Sequence, residues 1–151
     1  MGSTRIAGIW DQTIQDGSVP DGFAYGSEYT EEMINQALQS EDPKVIVPSE
    51  DTITHGTFVA SLACGSGNAE NRFLGAAPES TIAMVKLKPA KRYLRDFYAI
   101  AGEAVCYQEN DILAGLRYLN ELARRRGDAA CDLYGNRNQF GGHNGDFFAA
   151  G

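Results

Sequence analysis

Asp11 and His55 are the residues whose types and settings could do proton chemistry. Asp11 follows directly on the apolar run Arg5-Ile-Ala-Gly-Ile-Trp10, where a buried strand is expected to end. A half-buried carboxylate is costly without a partner. A histidine Nδ1–H is a suitable one, because the carboxylate fixes the tautomer and stabilises the imidazolium formed when the ring accepts a proton. His55 opens the stretch His55-Gly-Thr-Phe-Val-Ala-Ser-Leu-Ala-Cys64, which reads as a helix. The partial positive charge of a helix N-terminus disfavours imidazolium and leaves the neutral ring that a general base needs at rest. Gly56 removes a side chain that would crowd a substrate, and Ala60, Ser61 and Ala63 let neighbouring backbones approach. Each residue also has a plain structural reading: His55 as a helix cap, Asp11 as a turn residue bonded to local backbone.

Other chemistries find less support. Cys64, Cys106 and Cys131 cannot pair fully among themselves and show no CxxC spacing, so neither a zinc site nor a redox motif is expected. Cys64 lies nine residues along from His55, too far for a Cys–His nucleophilic pair on one helix. The loop holding Asn68, Glu70 and Asn71 offers few oxygen ligands for a hard cation, so no metal is predicted. Neither GxGxxG nor GxxxxGK[ST] occurs, and no cofactor is expected. The 151 residues carry 13 Lys+Arg against 20 Asp+Glu, a net charge of −7, which argues against a nucleic-acid partner. No apolar stretch approaches the roughly 18–20 residues of a membrane span, and the amino-terminal apolar run is too short for a signal peptide. The expectation is a protein without membrane insertion, with reduced thiols, in a cytoplasmic setting.

The elements that must position Asp11 and His55 follow from patterning. The run from Arg5 to Trp10 reads as a strand, and residues 12 to 29, rich in Gly, Asp and Pro, as a surface loop. Thr30 caps a helix from Glu31 to about Gln39, with two acids in its first turn and a stripe of Ile34, Ala37 and Leu38. Asp42-Pro43 ends it, and Val45-Ile-Val47 reads as a short strand. The helix from His55 is apolar nearly all round, which predicts burial, with Gly65 as its cap. Strands are expected over Thr81–Leu87, Asp96–Ile100 and Ala129–Tyr134, the last interrupted by Asp132. Asn110 caps a helix running from Asp111 to about Arg126, with Ile112, Leu113, Leu116, Leu119, Leu122 and Ala123 at helical spacing. Its three terminal arginines suit the macrodipole and Gly127 stops it. Strands alternating with helices imply an α/β fold with a mainly parallel sheet flanked by helices, whose ligands sit outside the carboxyl ends of the strands. Asp11 and His55 both fall toward that rim.

Three segments taken together carry a family likeness. His55-Gly-Thr-Phe-Val-Ala60, Leu74-Gly-Ala-Ala-Pro78 and Ile82-Ala-Met-Val-Lys-Leu87 resemble the histidine region of the subtilisin-like serine peptidases, and Asp11 matches that family's aspartate in order and position. Trp10-Asp-Gln-Thr-Ile14, Gly22 to Thr30 and Lys86 to Phe97 resemble the bacterial branch that includes the spore-germination subtilases. The likeness spans roughly residues 5 to 126.

This resemblance implies a subtilisin-like α/β domain and a Ser-His-Asp endopeptidase acting on peptides or proteins. Asp11 would orient His55, and His55 would take the proton from a serine. The order aspartate, histidine, serine is the subtilisin order. The serine is missing: the family's Gly-Thr-Ser segment does not occur, no serine follows Ser80, and no Ala-Gly-Asn context supplies an oxyanion-hole asparagine. The chain therefore reads as one partial catalytic domain over 1–151, its sheet incomplete, inactive alone, with self-association expected through an exposed sheet edge. By position, the segment from Cys131 to Gly145 resembles the family's substrate-lining strand and loop, from which Leu133 and Gly135 are carried over as substrate-binding residues; His143 reads as a loop residue. Gln12-Thr13 stands where many subtilases have Ser/Thr-Gly. The alternative is a catalytically inactive pseudoprotease that acts as a regulatory or binding module. The branch adds a spore-associated location as an alternative to a plainly cytoplasmic one.

Overall fold

In the computed structural model, residues 3–68, 70, 72–102 and 104–131 are described. The elements in chain order are β1 (Ile6–Asp11), β2 (Ser27–Thr30), α1 (Glu31–Gln39), α2 (Pro43–Ile46), α3 (His55–Cys64), β3 (Ile82–Lys86), α4 (Arg92–Phe97) and α5 (Glu109–Arg126). Among the described residues the three strands form one sheet in the order β2-β1-β3. β1 pairs parallel with β3, with Trp10 opposite Val85 and Asp11 opposite Lys86. It pairs antiparallel with β2, with Asp11 opposite Ser27. The sheet is therefore mixed rather than mainly parallel. The difference arises in residues 12–29, expected to be loop throughout: the chain turns back after Asp11 and lays Ser27–Thr30 along the edge of β1.

The core forms where β1 meets α5. Trp10 and Tyr118 are fully buried, with ring centroids 5.5 Å apart, and Phe23 and Tyr25 close over Trp10 at 4.6 and 5.4 Å. Trp10 Nε1 donates to the Tyr25 carbonyl at 3.2 Å, so the aromatic cluster also fixes the loop between β1 and β2. Tyr118 donates to Glu28 Oε1 at 3.0 Å, which ties α5 to β2. α1 packs on β1 and β2 through Ile34 and Ala37. Side chains alternate along a strand. Trp10 therefore faces α5, and Asp11 points to the opposite face.

Capping explains most helix limits. The Thr30 side chain accepts from Met33 N at the start of α1, as its sequence predicts. α5 begins at Glu109 with Gln108 as its cap residue, two positions earlier than expected, and ends at Gly127 with φ 74°. Two segments expected as strands are helices. At Val45–Val47, Asp42 caps Lys44 N and Pro43 takes the first helical position, which nucleates the short helix α2. At Asp96–Ile100, the chain is instead occupied by α4 and the turn after it, where Ile100 N returns to the Arg95 carbonyl at 2.9 Å. The strand expected over Ala129–Tyr134 lies largely outside the described residues.

The largest departure is α3. Its all-round apolar pattern predicts burial, yet none of its residues is buried, and Phe58 and Leu62 are 61% and 47% exposed. The helix is attached by its carboxyl end. Ala76 N and Ala77 N donate to the Leu62 and Ala63 carbonyls at 3.0 and 2.7 Å, and Gly75 N donates to Gly65 O at 3.0 Å. A Cβ on Gly75 would lie 2.5 Å from the backbone nitrogen of Gly65, so only glycine allows this approach. Apolar patterning shows what a helix can bury, and here the described elements leave that surface open. Among the described residues no helix is long and apolar enough to cross a membrane.

Candidate active site

Asp11 ends the central strand and is fully buried. Its Oδ1 accepts from Thr13 N at 2.8 Å and Thr13 Oγ1 at 2.5 Å. Its Oδ2 accepts from Ser49 Oγ at 2.6 Å and faces Lys86 Nζ at 3.3 Å. Burial pushes the Asp11 carboxyl up, but the Ser49 and Thr13 hydroxyls, the Thr13 N–H and the Lys86 ammonium outweigh it and hold the group below the usual aspartate value. Asp11 is thus a buried, ionised carboxylate at the carboxyl end of the central strand. The turn reading of its sequence is realised by Thr13, and Lys86 is a charged partner that the sequence reading does not name.

His55 is the first residue of α3 and is exposed. The helix start is built by Asp51, four residues earlier. Asp51 Oδ1 accepts from Thr54 N at 2.8 Å, and Oδ2 accepts from Thr57 N and Thr57 Oγ1, each at 2.8 Å. These bonds, the Thr57 N–H first, hold the Asp51 carboxyl below its usual value. They do the work of an N-cap that Thr54 itself does not perform, since Thr54 is left-handed at φ 65° and makes no side-chain cap. A Cβ on Gly56 would lie 3.4 Å from Asp51 Oδ2, an ordinary contact.

Two anchors orient α3 relative to the sheet. Arg5, just before β1, donates through Nη2 to the Cys64 carbonyl at 2.6 Å and to Ser66 Oγ at 3.2 Å, and through Nη1 to the Ser80 carbonyl at 2.8 Å. The carboxyl end of the helix is therefore pinned at the amino ends of β1 and β3. Ser49, on the segment leading into the helix, is bonded to Asp11 at the opposite end of β1. The helix therefore runs from the segment anchored at Asp11 toward the amino end of β1. Among the described residues, the partners of Asp11 are Thr13, Ser49 and Lys86.

Ser49, Asp51 and Lys86 are the residues that reasoning from the sequence left without a role. Asp51 had a legible signal, a carboxylate four residues before His55 where a cap belongs. Ser49 and Lys86 reach Asp11 from 38 and 75 positions away, and no local pattern marks them. On the other face of the same rim, Gln12 is fully buried. It donates through Nε2 to the Asp111 carbonyl at 2.9 Å and accepts from Lys88 N at 3.3 Å. Asp111 Oδ1 accepts from Tyr25 OH and Lys88 Nζ, both at 2.7 Å. The residues Gln12-Thr13 thus each have a task here: Gln12 ties β1 to α5 and Thr13 satisfies Asp11. Leu133, Gly135 and His143 lie outside the described residues. Among the described residues, no three His, Cys, Asp or Glu side chains group as metal ligands would.

The mixed α/β unit resembles part of a solved protease structure. The solved structure of the Clostridium perfringens CspB protease is similar to this chain, with a TM-score of 0.62 and 31% identity over 83% of it. The chain spans 22% of the length of that structure. No family model matches the chain, and no curated protein matches it.

Proposed function

We propose that this chain is part of a subtilisin-type serine endopeptidase catalytic domain, with Asp11 as the orienting carboxylate and His55 as the general base. The observation that carries the reading is the ionised Asp11, buried at the carboxyl end of the central strand, with α3 crossing back from the same rim. In such a site His55 Nε2 would take the proton of an attacking serine and return it to the leaving amine, while Asp11 would hold Nδ1–H and stabilise the imidazolium. The likeness to a protease structure supports it. The nucleophile is not among the residues after Ser80, so it would come from outside these 151 residues, and a base without a nucleophile forms no acyl-enzyme. Substrates would be peptides or proteins. Leu133 and Gly135 are proposed to contact them on the strength of the family resemblance alone.

Labelling with an active-site fluorophosphonate tests this. The 151-residue chain alone is expected to remain unlabelled. A fusion in which this chain replaces the matching segment of the clostridial protease is expected to label, and its His55→Ala variant to lose labelling while keeping its circular dichroism spectrum. Labelling of the chain alone, or of the folded His55→Ala fusion at the parent rate, refutes the assignment. The pseudoprotease reading is favoured by one observation, that Asp11 Oδ2 accepts from Ser49 Oγ at 2.6 Å. A folded fusion that stays unlabelled would support it.

A further inference from the structure

We propose that α4 and the turn after it, residues 98–102, form a docking surface for an acidic polypeptide segment, on the same rim of the sheet as Asp11. The inference rests on the endopeptidase reading above for calling that segment substrate. Its test is a binding measurement that needs neither a serine nor His55, so the two can fail separately. The charge of the chain is unevenly spread. Five of its 13 Lys+Arg fall between Lys86 and Tyr98, against one of its 20 Asp+Glu. Two of the five are turned inward, Lys86 to Asp11 at 3.3 Å and Lys88 to Asp111 at 2.7 Å. The other three, Lys91, Arg92 and Arg95, belong to α4 and its cap. Among the described residues Lys91 and Arg95 pair with no carboxylate, and Arg95 donates instead to the Ala101 and Gly102 carbonyls at 3.1 and 2.6 Å. Arg92 meets Asp96 at 3.8 Å, with side chains 94% and 71% exposed, a pair of little strength.

Bare aromatic rings stand among these cations. Tyr93, Phe97 and Tyr98 are 62%, 79% and 66% exposed, and Tyr93 and Phe97 share a helix face. Apolar groups of this size gathered in one exposed place mark an interaction surface. A hollow of about 440 Å³, lined by Ala90, Arg92, Arg95, Asp96, Ile100 and Gly102, opens beside the two arginines. The placement follows from the backbone. Ala90 N donates to the Cys106 carbonyl at 2.9 Å, and Pro89 bridges Tyr107. The segment carrying α4 therefore leaves the rim beside Lys88 and returns to it at the start of α5, and Gln12 holds both ends. Ligands of parallel strands sit outside this rim. Charge decides the occupant. The chain as a whole carries −7, so a bilayer or duplex broad enough to come within a Debye length of the rest of it, about 8 Å, is repelled. A narrow peptide segment meets the patch alone. Its carboxylates face Lys91, Arg92 and Arg95, and its apolar side chains cover the rings.

Fluorescence anisotropy with a labelled peptide of alternating glutamate and leucine tests this, beside its glutamine and lysine counterparts. The glutamate peptide is expected to bind the 151-residue chain about tenfold more tightly than the glutamine peptide, and the difference to close in about 1 M salt, where the Debye length is about 3 Å. Lys91→Gln combined with Arg92→Gln is expected to weaken the glutamate peptide about tenfold. Phe97→Ser should weaken the glutamate and glutamine peptides alike, and Arg124→Gln, which removes a cation elsewhere, should behave as the parent. All four residues are exposed, so the circular dichroism spectrum should not change. The fusion with the clostridial protease should bind the glutamate peptide as the chain alone does. Equal binding of the glutamate and glutamine peptides, tighter binding of the lysine peptide, or indifference to the loss of Lys91 and Arg92 overturns the proposal. Loss of binding in the folded fusion also overturns it, by showing that the rest of the domain covers α4. Phe97-dependent binding of phosphatidylserine vesicles in place of the peptide, or self-association that Lys91→Gln with Arg92→Gln abolishes in its place, gives the surface to another occupant and overturns it as well.

Discussion

Truncation of Gln12 to alanine should cost this fold about 3 to 4 kcal/mol. Gln12 is fully buried, and its side chain joins the end of β1 both to the helix start of α5 and to the backbone after β3. Each of its two hydrogen bonds contributes about 1 kcal/mol net, and removal leaves Lys88 N–H without its acceptor. The one methylene lost beyond Cβ contributes about 0.8 kcal/mol, and the orphaned Lys88 N–H adds about 1 kcal/mol. Backbone bonds of Gln12 to Lys86 O and from Gln15 Nε2 survive the substitution, so the loss reports the side chain alone. For a domain of this size each kcal/mol moves the thermal midpoint by about 2–4 °C, so a fall of roughly 6–16 °C is expected. Urea denaturation followed by circular dichroism measures it, with an unchanged slope showing that the unfolded reference is unaltered. Gln12→Glu should do at least as badly, since a carboxylate cannot donate to the Asp111 carbonyl and stands beside the Asp111 carboxylate. A loss below about 0.5 kcal/mol for Gln12→Ala, typical of an exposed residue, would refute the account of how the rim is tied together.

The remaining predictions concern acid and backbone. Because Asp11 is held below its unfolded value, its stabilising contribution is fully present above about pH 4 and is lost as pH falls through its lower folded value. Stability measured against pH should therefore fall less steeply below pH 4 in Asp11→Asn than in the parent, and an equal slope would show that Asp11 takes up its proton alike in both states. Gly26 and Gly127 share left-handed backbone, φ 79° and 74°, but differ in surroundings: a Cβ on Gly26 would overlap Trp10 Nε1, while Gly127 faces open space. Gly127→Ala should cost about 1 kcal/mol, and Gly26→Ala about 2–3 kcal/mol more from overpacking. Equal thermal midpoints for the two variants would contradict the packing around Trp10.

How much of this was legible in the sequence depends on how far apart the deciding residues lie. β1, α1 and the body of α5 are written locally, as an apolar run, a Thr30 cap with acids behind it, and a stripe of leucines ending in arginines and Gly127. β2 was not, because four residues inside a Gly- and Pro-rich stretch become a strand only through pairing with β1. α2 and α4 were mistaken for strands because Val45-Ile-Val47 and Phe97–Ile100 carry strand-like residues, whereas the Asp42-Pro43 start decides the first. α3 was read as a helix correctly and as buried wrongly, since composition records capacity for burial and not the presence of a cover. In the site, the chemical types of Asp11 and His55 are plain, while the partners of Asp11 Oδ2, Ser49 and Lys86, lie far along the chain.

The rim has two tasks. Asp11 ends β1 and Gln12 follows it directly, and the two side chains have separate sets of partners. Gln12 enters the α5 side and carries packing, with Asp111, Lys88 and Tyr25 around it. Asp11 enters the other side and carries charge, with Ser49 and Lys86 as partners. A buried carboxylate costs several kcal/mol unless its oxygens are satisfied, and here Oδ1 accepts from Thr13 N and Oγ1 while Oδ2 accepts from Ser49 Oγ and faces the Lys86 ammonium. These partners hold the Asp11 carboxyl below its usual value, and so keep the charge inside the fold.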